Sequence, residues 1–546
     1  MTKKRRDLSR RDFLRTSAAA GVGATALAGL EAGQAQTVTA ADIDWDHEAD
    51  VVIAGAGAAG LCASVSARDQ GVSVIVVEEN HDIGGHAMVS GGRIPLGGGT
   101  SFQRRYGIED SAEQVFLDHT NHENPEFIYS DRELVRTWAD ENVPTFEFLV
   151  ENGVKFMEQP PSIENGGTVP RLAIAQPYSD DLNETINGSP GSGLARAMEA
   201  SARQKGVEFL LRHKMTRIIR ESATSGRVLG ITTSFEGRDV RIRSGKGVIL
   251  ATGGHTSNVD FRTIFDPRLT DEYQVAGEPW SRQTADSETL AMDIGASLWA
   301  TANQANELGR GVTKTRYIGC RYGYRNLQWS PDSPMFTAAG ASGLGVTDWQ
   351  NVILVNQVGR RFWDETERGY DFCNAALGTN GGEANGGGPI WAIFDSAAVT
   401  REGWEPTPPN VDPDGWFFTA DSVAELASRI ANPHQKQPVP ARALEETVAR
   451  YNGHVDRGED PDFGKATPRF KIQTPPFYAA WSTPILHDTL TGLKITSEAQ
   501  VVARNGETIP RLYCAGESAG GFALHGLPRC TVFGRIAGRE AARLEA

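Results

Sequence analysis

Three glycines in the run Asp50-Val-Val-Ile-Ala-Gly-Ala-Gly-Ala-Ala-Gly60 carry the first chemical signal in this chain. Gly55, Gly57 and Gly60 form G-x-G-x-x-G, with Ala59 inside the motif. Gly55 permits a tight turn, Gly57 lets the backbone approach a pyrophosphate, and Gly60 lets a helix pack on a strand. The amides of a helix N-terminus then face the phosphates. Glu78, roughly 20 residues on and followed by Glu79, is placed to accept from a ribose hydroxyl. This is chemistry for holding an adenine dinucleotide, and the motif by itself leaves FAD and NAD both open.

The elements needed to position these residues are present in order. Val51 to Ala54 reads as a buried strand, Leu61 to Gln70 as a helix and Val72 to Val77 as a second strand. Ser111 to Asn121 and Ser130 to Asn152 have helical spacing, and Ser189-Pro-Gly-Ser-Gly opens a helix ending near Gly206. Short strands are expected at Val207 to Leu211, Thr216 to Ile219, Val240 to Ser244 and Gly247 to Gly254.

Composition narrows the class. At 546 residues, 39% hydrophobic and 23% charged, the chain suits a globular protein of two or more domains. A net charge of -15, with no basic patch beyond the N-terminus, argues against a nucleic-acid partner. After the first 40 residues no apolar run is long enough to span a bilayer, so no transmembrane anchor is expected. Cys62, Cys320, Cys373, Cys514 and Cys530 form no C-x-x-C, so no zinc, haem-attachment or iron–sulfur spacing is indicated and no metal site is expected. Residues 1–40 read as an address. Ser9-Arg10-Arg11-Asp12-Phe13-Leu14 resembles the twin-arginine export signal, with an Ala/Gly-rich stretch and a small-residue cleavage site after it. The expectation is a periplasmic protein exported already folded.

The loop Asp82-Ile-Gly-Gly-His-Ala-Met-Val-Ser-Gly-Gly92 makes a resemblance definite. The chain resembles the flavoprotein family that holds fumarate reductases, urocanate reductases and 3-ketosteroid Δ1-dehydrogenases. The resemblance implies an α/β fold: a Rossmann-like FAD-binding domain, residues 46–295 with 478–546, and an inserted α+β substrate (capping) domain, 296–477. In that family this loop runs along the flavin, which implicates Gly85, His86, Ala87, Ser90, Gly91 and Gly92. His86, counted from Gly84-Gly85, falls where some members link FAD covalently; counted back from Gly91-Gly92 it is one residue out of register. Met215 resembles the residue that reads the adenine, and Val248-Ile-Leu-Ala-Thr-Gly-Gly254 resembles the strand whose turn, here Ala251, Thr252 and Gly253, faces the dinucleotide. Asp286 stands in a changed version of the family's T-G-D-G helix start. Ile509-Pro-Arg-Leu-Tyr-Cys-Ala-Gly516-Glu517 resembles the strand whose terminal acid binds the flavin ribityl, which decides for FAD. A helix from Thr531 to Glu545 should meet the pyrimidine end of the flavin with its first amides, at Thr531 and Val532.

Residues 296–477 are rich in tryptophan and in Gly/Pro loops. Ile353 to Phe362 resembles a family hairpin, Ala443 to Tyr451 reads as a helix, and Pro475-Pro-Phe-Tyr478 leads back to the first domain.

For the chemistry, the resemblance implies hydride passing through flavin N5, with a protein acid or base moving the other proton. His487 and the His525-Gly-Leu-Pro-Arg529 motif match part of the fumarate reductase set, and Arg529 is the residue that would bind a carboxylate. Asp488 stands where that set has a substrate-binding His, Asp348 falls near a missing clamp arginine, and Arg368 is one residue short of the acid arginine. Two acids at those places argue against a dicarboxylate. Tyr478, in Phe-Tyr-Ala, matches the ketosteroid dehydrogenase tyrosine that polarises the ketone, and Tyr370 lies near the tyrosine that takes the proton. The expectation is an FAD oxidoreductase that dehydrogenates or reduces a C–C bond beside a carbonyl in a bulky, mostly apolar compound, alicyclic, terpenoid or steroid-like. Arg529 and His487 would bind the oxygen, Tyr478 would assist, and Tyr370 or Arg368 would move the proton. Two alternatives stay open: a reductase of a small unsaturated monocarboxylate with Arg529 as its single clamp, and a non-catalytic electron-transfer or ligand-binding flavoprotein. Without its own haem or iron–sulfur spacing, the chain would need a separate electron partner, a quinone or a cytochrome.

Overall fold

The computed structural model describes residues 39–121, 130–163, 167–178, 189–300, 312–323, 329–367, 370–378, 385, 387–521 and 526–544. The export-signal stretch, Arg368 and His525 therefore lie outside the described residues.

In chain order the elements that build the site are β1 (His47–Ala54), α1 (Ala58–Asp69), β2 (Val74–Glu78), a single turn α2 (Gly85–Met88), α3 (Arg132–Glu151) and α4 (Pro190–Gln204). Then come β3 (Glu208–Leu211), β4 (Lys214–Arg220), β5 (Val228–Phe235), β6 (Arg238–Leu250) and α5 (Asp286–Asp293). A second group follows: β7 (Ile353–Val355), α6 (Tyr370–Leu377), β8 (Trp391–Asp395), β9 (Phe417–Ala420), α7 (Ala441–Arg457) and β10 (Phe477–Trp481). The chain closes with β11 (Gln500–Val502), β12 (Thr508–Cys514) and α8 (Leu527–Arg543).

The first sheet runs β11-β12-β6-β1-β2-β3. Strands β3, β2, β1, β6 and β12 are mutually parallel, so their C-terminal ends share one edge. Val51 to Ala54 are fully buried because β1 has a neighbour on each side and helices above and below. The pattern of two strands over 240–254 is in fact one strand. Residues 245 and 246 form a bulge opposite Asp50, and β6 continues across it to Leu250. Its first half pairs antiparallel with β5, a strand the sequence reading did not anticipate.

Small residues let the helices close on this sheet. A Cβ on Gly60 would lie 1.8 Å from the Gly55 carbonyl oxygen. On α8, a Cβ on Gly534 or Gly538 would lie 2.4 Å from Ala59 O or 2.2 Å from Ala63 O of α1. The α1 and α8 backbones therefore touch directly.

The second sheet runs β7-β8-β10-β9, all antiparallel. Strand β10, with Tyr478, belongs to it, so the chain leaves this sheet after Trp481 and not at 478 as Pro475-Pro-Phe-Tyr suggests. The expected hairpin over 353–362 reduces to β7, a tight turn held by Asn356, and one bridge from Val355 to Arg361. Helix α7 runs longer at both ends than expected, burying Leu444, Val448 and Tyr451 and stopping at Gly458 in the left-handed region. Among the described residues no helix is long and apolar enough to cross a membrane.

A buried charge cluster ties this second unit together. Arg361 grips Glu365 through Nε at 2.7 Å and Asp460 through Nη2 at 2.8 Å, and Lys465 Nζ lies 3.1 Å from Glu365. Burial alone would raise the Glu365 carboxyl, but Arg361 and Lys465 bring it down to about 2. Its contribution to stability is therefore complete above the ordinary value of 4.5 and is lost as pH falls towards about 2. Glu365→Gln leaves two cations buried with one acid and should cost about 3–5 kcal/mol, read as a lower thermal transition at neutral pH and a weakened acid dependence. Gly538→Val should cost about 1–3 kcal/mol by forcing α8 off α1, measured the same way.

Candidate functional site

A cavity of about 370 Å³ opens at the shared C-terminal edge of the first sheet. Its walls bring together most of the residues singled out from the sequence: Gly55, Gly57 and Ala59; Glu78 and Glu79; Gly85, His86, Ala87 and Ser90; Met215; Ala251, Thr252 and Gly253; Asp286; Gly516 and Glu517. The turn after β1 explains the first group. Gly55 has φ 101°, and a Cβ there would lie 2.2 Å from Ala251 O. The first bond of α1 runs from Leu61 N to Gly57 O at 2.9 Å, so the Ala58 and Ala59 amides, ahead of it, face the cavity. A Cβ on Gly57 would meet nothing within 4 Å, because that position opens on the cavity. The Glu78 carboxylate accepts from Ala56 N at 2.7 Å and Asn80 N at 2.9 Å, which pins β2 to the turn. Burial raises its pKa, partly opposed by those amides. Lys214 Nζ lies 2.9 Å from both Glu79 and Asp286 and joins the rim on that side.

Five residues expected at the cofactor do not line the cavity. Gly60 is spent on packing against the turn, and Gly92 packs against Pro190, 2.6 Å from where its Cβ would be. Gly91 is partly exposed beside it. Thr531 and Val532 are fully buried inside α8, which begins four residues earlier than the sequence reading placed it. Gly526 caps the helix and Pro528 sits in its first turn, a start signal available in the sequence. Gly526, Leu527 and Cys530 are the α8 residues at the cavity. The reading also missed a strap, residues 277–283. Trp280 Nε1 donates to Gly85 O at 3.2 Å, Asn80 Nδ2 donates to Trp280 O at 2.8 Å, and His81 packs edge-on against the indole. A tryptophan after Gly277-Glu-Pro was the only local hint.

At the far end of the cavity stand His86, His487, Asp488 and Glu517. The two imidazole rings lie 6.3 Å apart. Burial lowers the His86 pKa, partly opposed by Asp488. Gln283 Nε2 donates to Glu517 Oε2. Arg529 does not reach the cavity. It is fully buried, donates through Nη2 to Thr489 O at 3.0 Å, and faces Asp488 at 3.4 Å and Glu517 at 4.0 Å. Expected as a substrate clamp, it stands behind the cavity wall beside two buried acids. Burial, then Asp488, holds the Glu517 carboxyl well above the usual carboxylate range.

Tyr478 is also away from the cavity. Its ring stacks on Phe394 at 5.1 Å and packs against Phe417, in the core of the second unit. The pairing of β10 within the second sheet puts it there. Tyr370 opens α6, and Asp348 pairs with Arg469 at 2.6 Å near the surface.

The donor set fits an FAD: open helix-N-terminal amides at Ala58 and Ala59, a Gly57 with room for an approaching phosphate, an acid at the end of β2, and a second acid at the end of β12. Comparison with known proteins agrees. The family described as FAD binding domain matches residues 50–529, and the chain belongs to it. It is an FAD-dependent oxidoreductase. Over 91% of its length it is 27% identical to NADH:acrylate oxidoreductase of Vibrio harveyi, of which it spans 51%. It is 27% identical to digoxin reductase of Eggerthella lenta, covering 99% of this chain and 98% of that one. The structure of 3-ketosteroid-delta4-(5alpha)-dehydrogenase from Rhodococcus jostii RHA1, in complex with 4-androstene-3,17-dione, superposes with a TM-score of 0.58 at 26% identity, covering 93% of this chain and all of that one.

Gly57→Val should leave a folded protein that retains no FAD, since its side chain would project into the cavity and not into the core; visible absorbance and a thermal melt check both halves. If His86 carries a covalent flavin, acid-precipitated protein stays yellow and His86→Ala loses the colour; a colourless wild-type pellet refutes the link.

Proposed function

We propose that the chain dehydrogenates or reduces a C–C bond beside a carbonyl in a bulky, mostly apolar substrate. The observation that carries this reading is the balance of charge at the far end of the cavity. Among the described residues Arg529 is the guanidinium at that end, and it already faces two acids, Asp488 and Glu517, which disfavours a substrate carboxylate. A neutral carbonyl needs only a hydrogen-bond donor. Likeness to digoxin reductase and to the steroid-bound dehydrogenase supports a large ring-bearing substrate. Likeness to NADH:acrylate oxidoreductase supports the alternative, reduction of a small unsaturated monocarboxylate.

When bound, FAD supplies a two-electron acceptor or donor for hydride. The chain supplies the rest. Gly55 to Ala59, Glu78 and the 277–283 strap would hold the dinucleotide, and Glu517 with the start of α8 would orient its redox end. His487 and His86 put two imidazoles beside that end, where one could give or take the second proton. The electron partner we propose is a separate quinone or cytochrome, and the twin-arginine resemblance supports a periplasmic setting.

Anaerobic bleaching of the oxidised flavin's visible band tests the substrate class. Saturated cyclic ketones and steroids should bleach it, whereas saturated mono- and dicarboxylates should not. Bleaching by carboxylates alone, or reoxidation of reduced protein only by acrylate, would move the assignment to the alternative. His487→Ala should slow bleaching by about 10²–10⁴-fold if it moves the proton.

A further inference from the structure

Two residues, Arg212 and His213, join β3 to β4. Arg212 has φ 60°, in the left-handed region that a residue with a side chain seldom adopts. Both amides of the turn are committed to the end of β2: Arg212 N donates to Asn80 O at 3.0 Å and His213 N to Glu78 O at 2.8 Å. The turn places His213, only 8% exposed, in the cavity wall beside Glu78, Glu79, Asn80 and Met215. Backbone strain held in this way points to a use for the side chain it positions. The ring is fixed as firmly as the turn. It lies flat on Phe235, the last residue of β5, with centroids 4.4 Å apart and planes 7° from parallel. Its Nδ1 is 2.8 Å from Leu211 O. A carbonyl oxygen only accepts, so Nδ1 carries the hydrogen and, in the neutral ring, Nε2 carries the lone pair. Nε2 is accessible and has no hydrogen-bond partner among the described residues, and the cavity is what it opens on. The Leu211 carbonyl thus selects one tautomer, and the cavity meets an acceptor at this point. The neighbouring Lys214 Nζ is held on the rim by Glu79 and Asp286.

The order of groups along the sheet edge sets which part of the dinucleotide comes here. Amides at a helix N-terminus hold a pyrophosphate, and the acid closing the second strand holds the adenosine ribose. Those groups are Ala58 and Ala59 of α1 and Glu78 of β2. In the order β12-β6-β1-β2-β3, Glu517 follows β12 on one side of them and His213 follows β3 on the other. With the redox end towards Glu517, the adenine falls on the side of His213. We propose that His213 reads the adenine of FAD: Nε2 accepts from the 6-amino group, and the tautomer held by Leu211 rejects a base with a carbonyl oxygen at that position. A 6-oxo base would set lone pair against lone pair, and the ring cannot move its hydrogen to Nε2 without losing the bond to Leu211 O. Met215, an apolar side chain two residues on, lines the same wall. Together they make a pocket that distinguishes adenine from other flat bases. His213 is a cofactor-binding residue and takes no part in hydride or proton transfer.

The test is binding, not turnover. The full chain is stripped of flavin and titrated, by flavin fluorescence, with FAD and with the analogue in which hypoxanthine replaces adenine. If the wild-type flavin is covalent, every protein in the comparison carries His86→Ala as well. Wild type should prefer FAD over the analogue. His213→Phe keeps a flat ring against Phe235 and removes the acceptor. It should weaken FAD binding by about three- to tenfold, the contribution of one neutral hydrogen bond, while the analogue binds at least as well as it does to wild type. The preference for FAD should therefore shrink by at least about threefold. His213→Gln, whose amide can turn either its oxygen or its N–H to the base, should shrink it too, and it decides the matter if a thermal melt shows His213→Phe unfolded. Equal affinity of wild type for the two ligands overturns the proposal. So does a parallel loss of both ligands in the folded variants, which would make the ring mere packing, and so does a preference changed by less than about twofold.

Discussion

Direct backbone contact, at positions where a Cβ cannot be tolerated, is the constraint the structure depends on. The end of β1 meets the end of β6 at Gly55, α1 presses on that turn at Gly60, and α8 presses on α1 at Gly534 and Gly538. Each contact brings backbones closer than side chains of any size would allow. Together they fix the two helices that begin at the cavity, α1 capped by Gly57 and α8 capped by Gly526. Two helix N-termini therefore converge on one space, with their amides and dipoles directed at a ligand that carries negative charge at one end and gains it at the other.

The parallel sheet supplies the rest of the frame. Because β2, β1, β6 and β12 run the same way, the acids Glu78 and Glu517 and the Ala251 to Gly253 turn all emerge at one edge. The strap from Gly277 to Gln283 then crosses this edge and is tied to it twice: Trp280 bonds Gly85, and Gln283 bonds Glu517. Parallel strands with helical crossovers concentrate ligand-binding groups at the strand C-termini in this way.

Two buried charge clusters show how the same residue types are put to different ends. In the second unit, Arg361 and Lys465 face Glu365 and Asp460, two cations for two acids, and both carboxyls are held below their usual range. That cluster is a structural tie. At the cavity, Arg529 faces both Asp488 and Glu517, and burial holds Glu517 well above its usual range. Opposite charges close by favour ionised acids, whereas burial beside a second acid favours the neutral form.

What the sequence determined is what short stretches of chain specify alone. The G-x-G-x-x-G turn, the strand and helix around it, Glu78 and the Gly516-Glu517 strand end are local patterns, and each lies at the cavity. The start of α8 was legible too, in Gly526 and Pro528, and was misplaced by reading the helix from Thr531. The tertiary structure decided the rest. Tyr478 sits in an apolar strand that could have joined either sheet; its pairing with β8 and β9 places it in the core of the second unit. The Arg529–Asp488 pair spans 41 residues and the Gln283–Glu517 bond spans 234. Such pairings exist only once the chain has folded, because burial and charge balance belong to the space side chains share and not to their spacing along the chain.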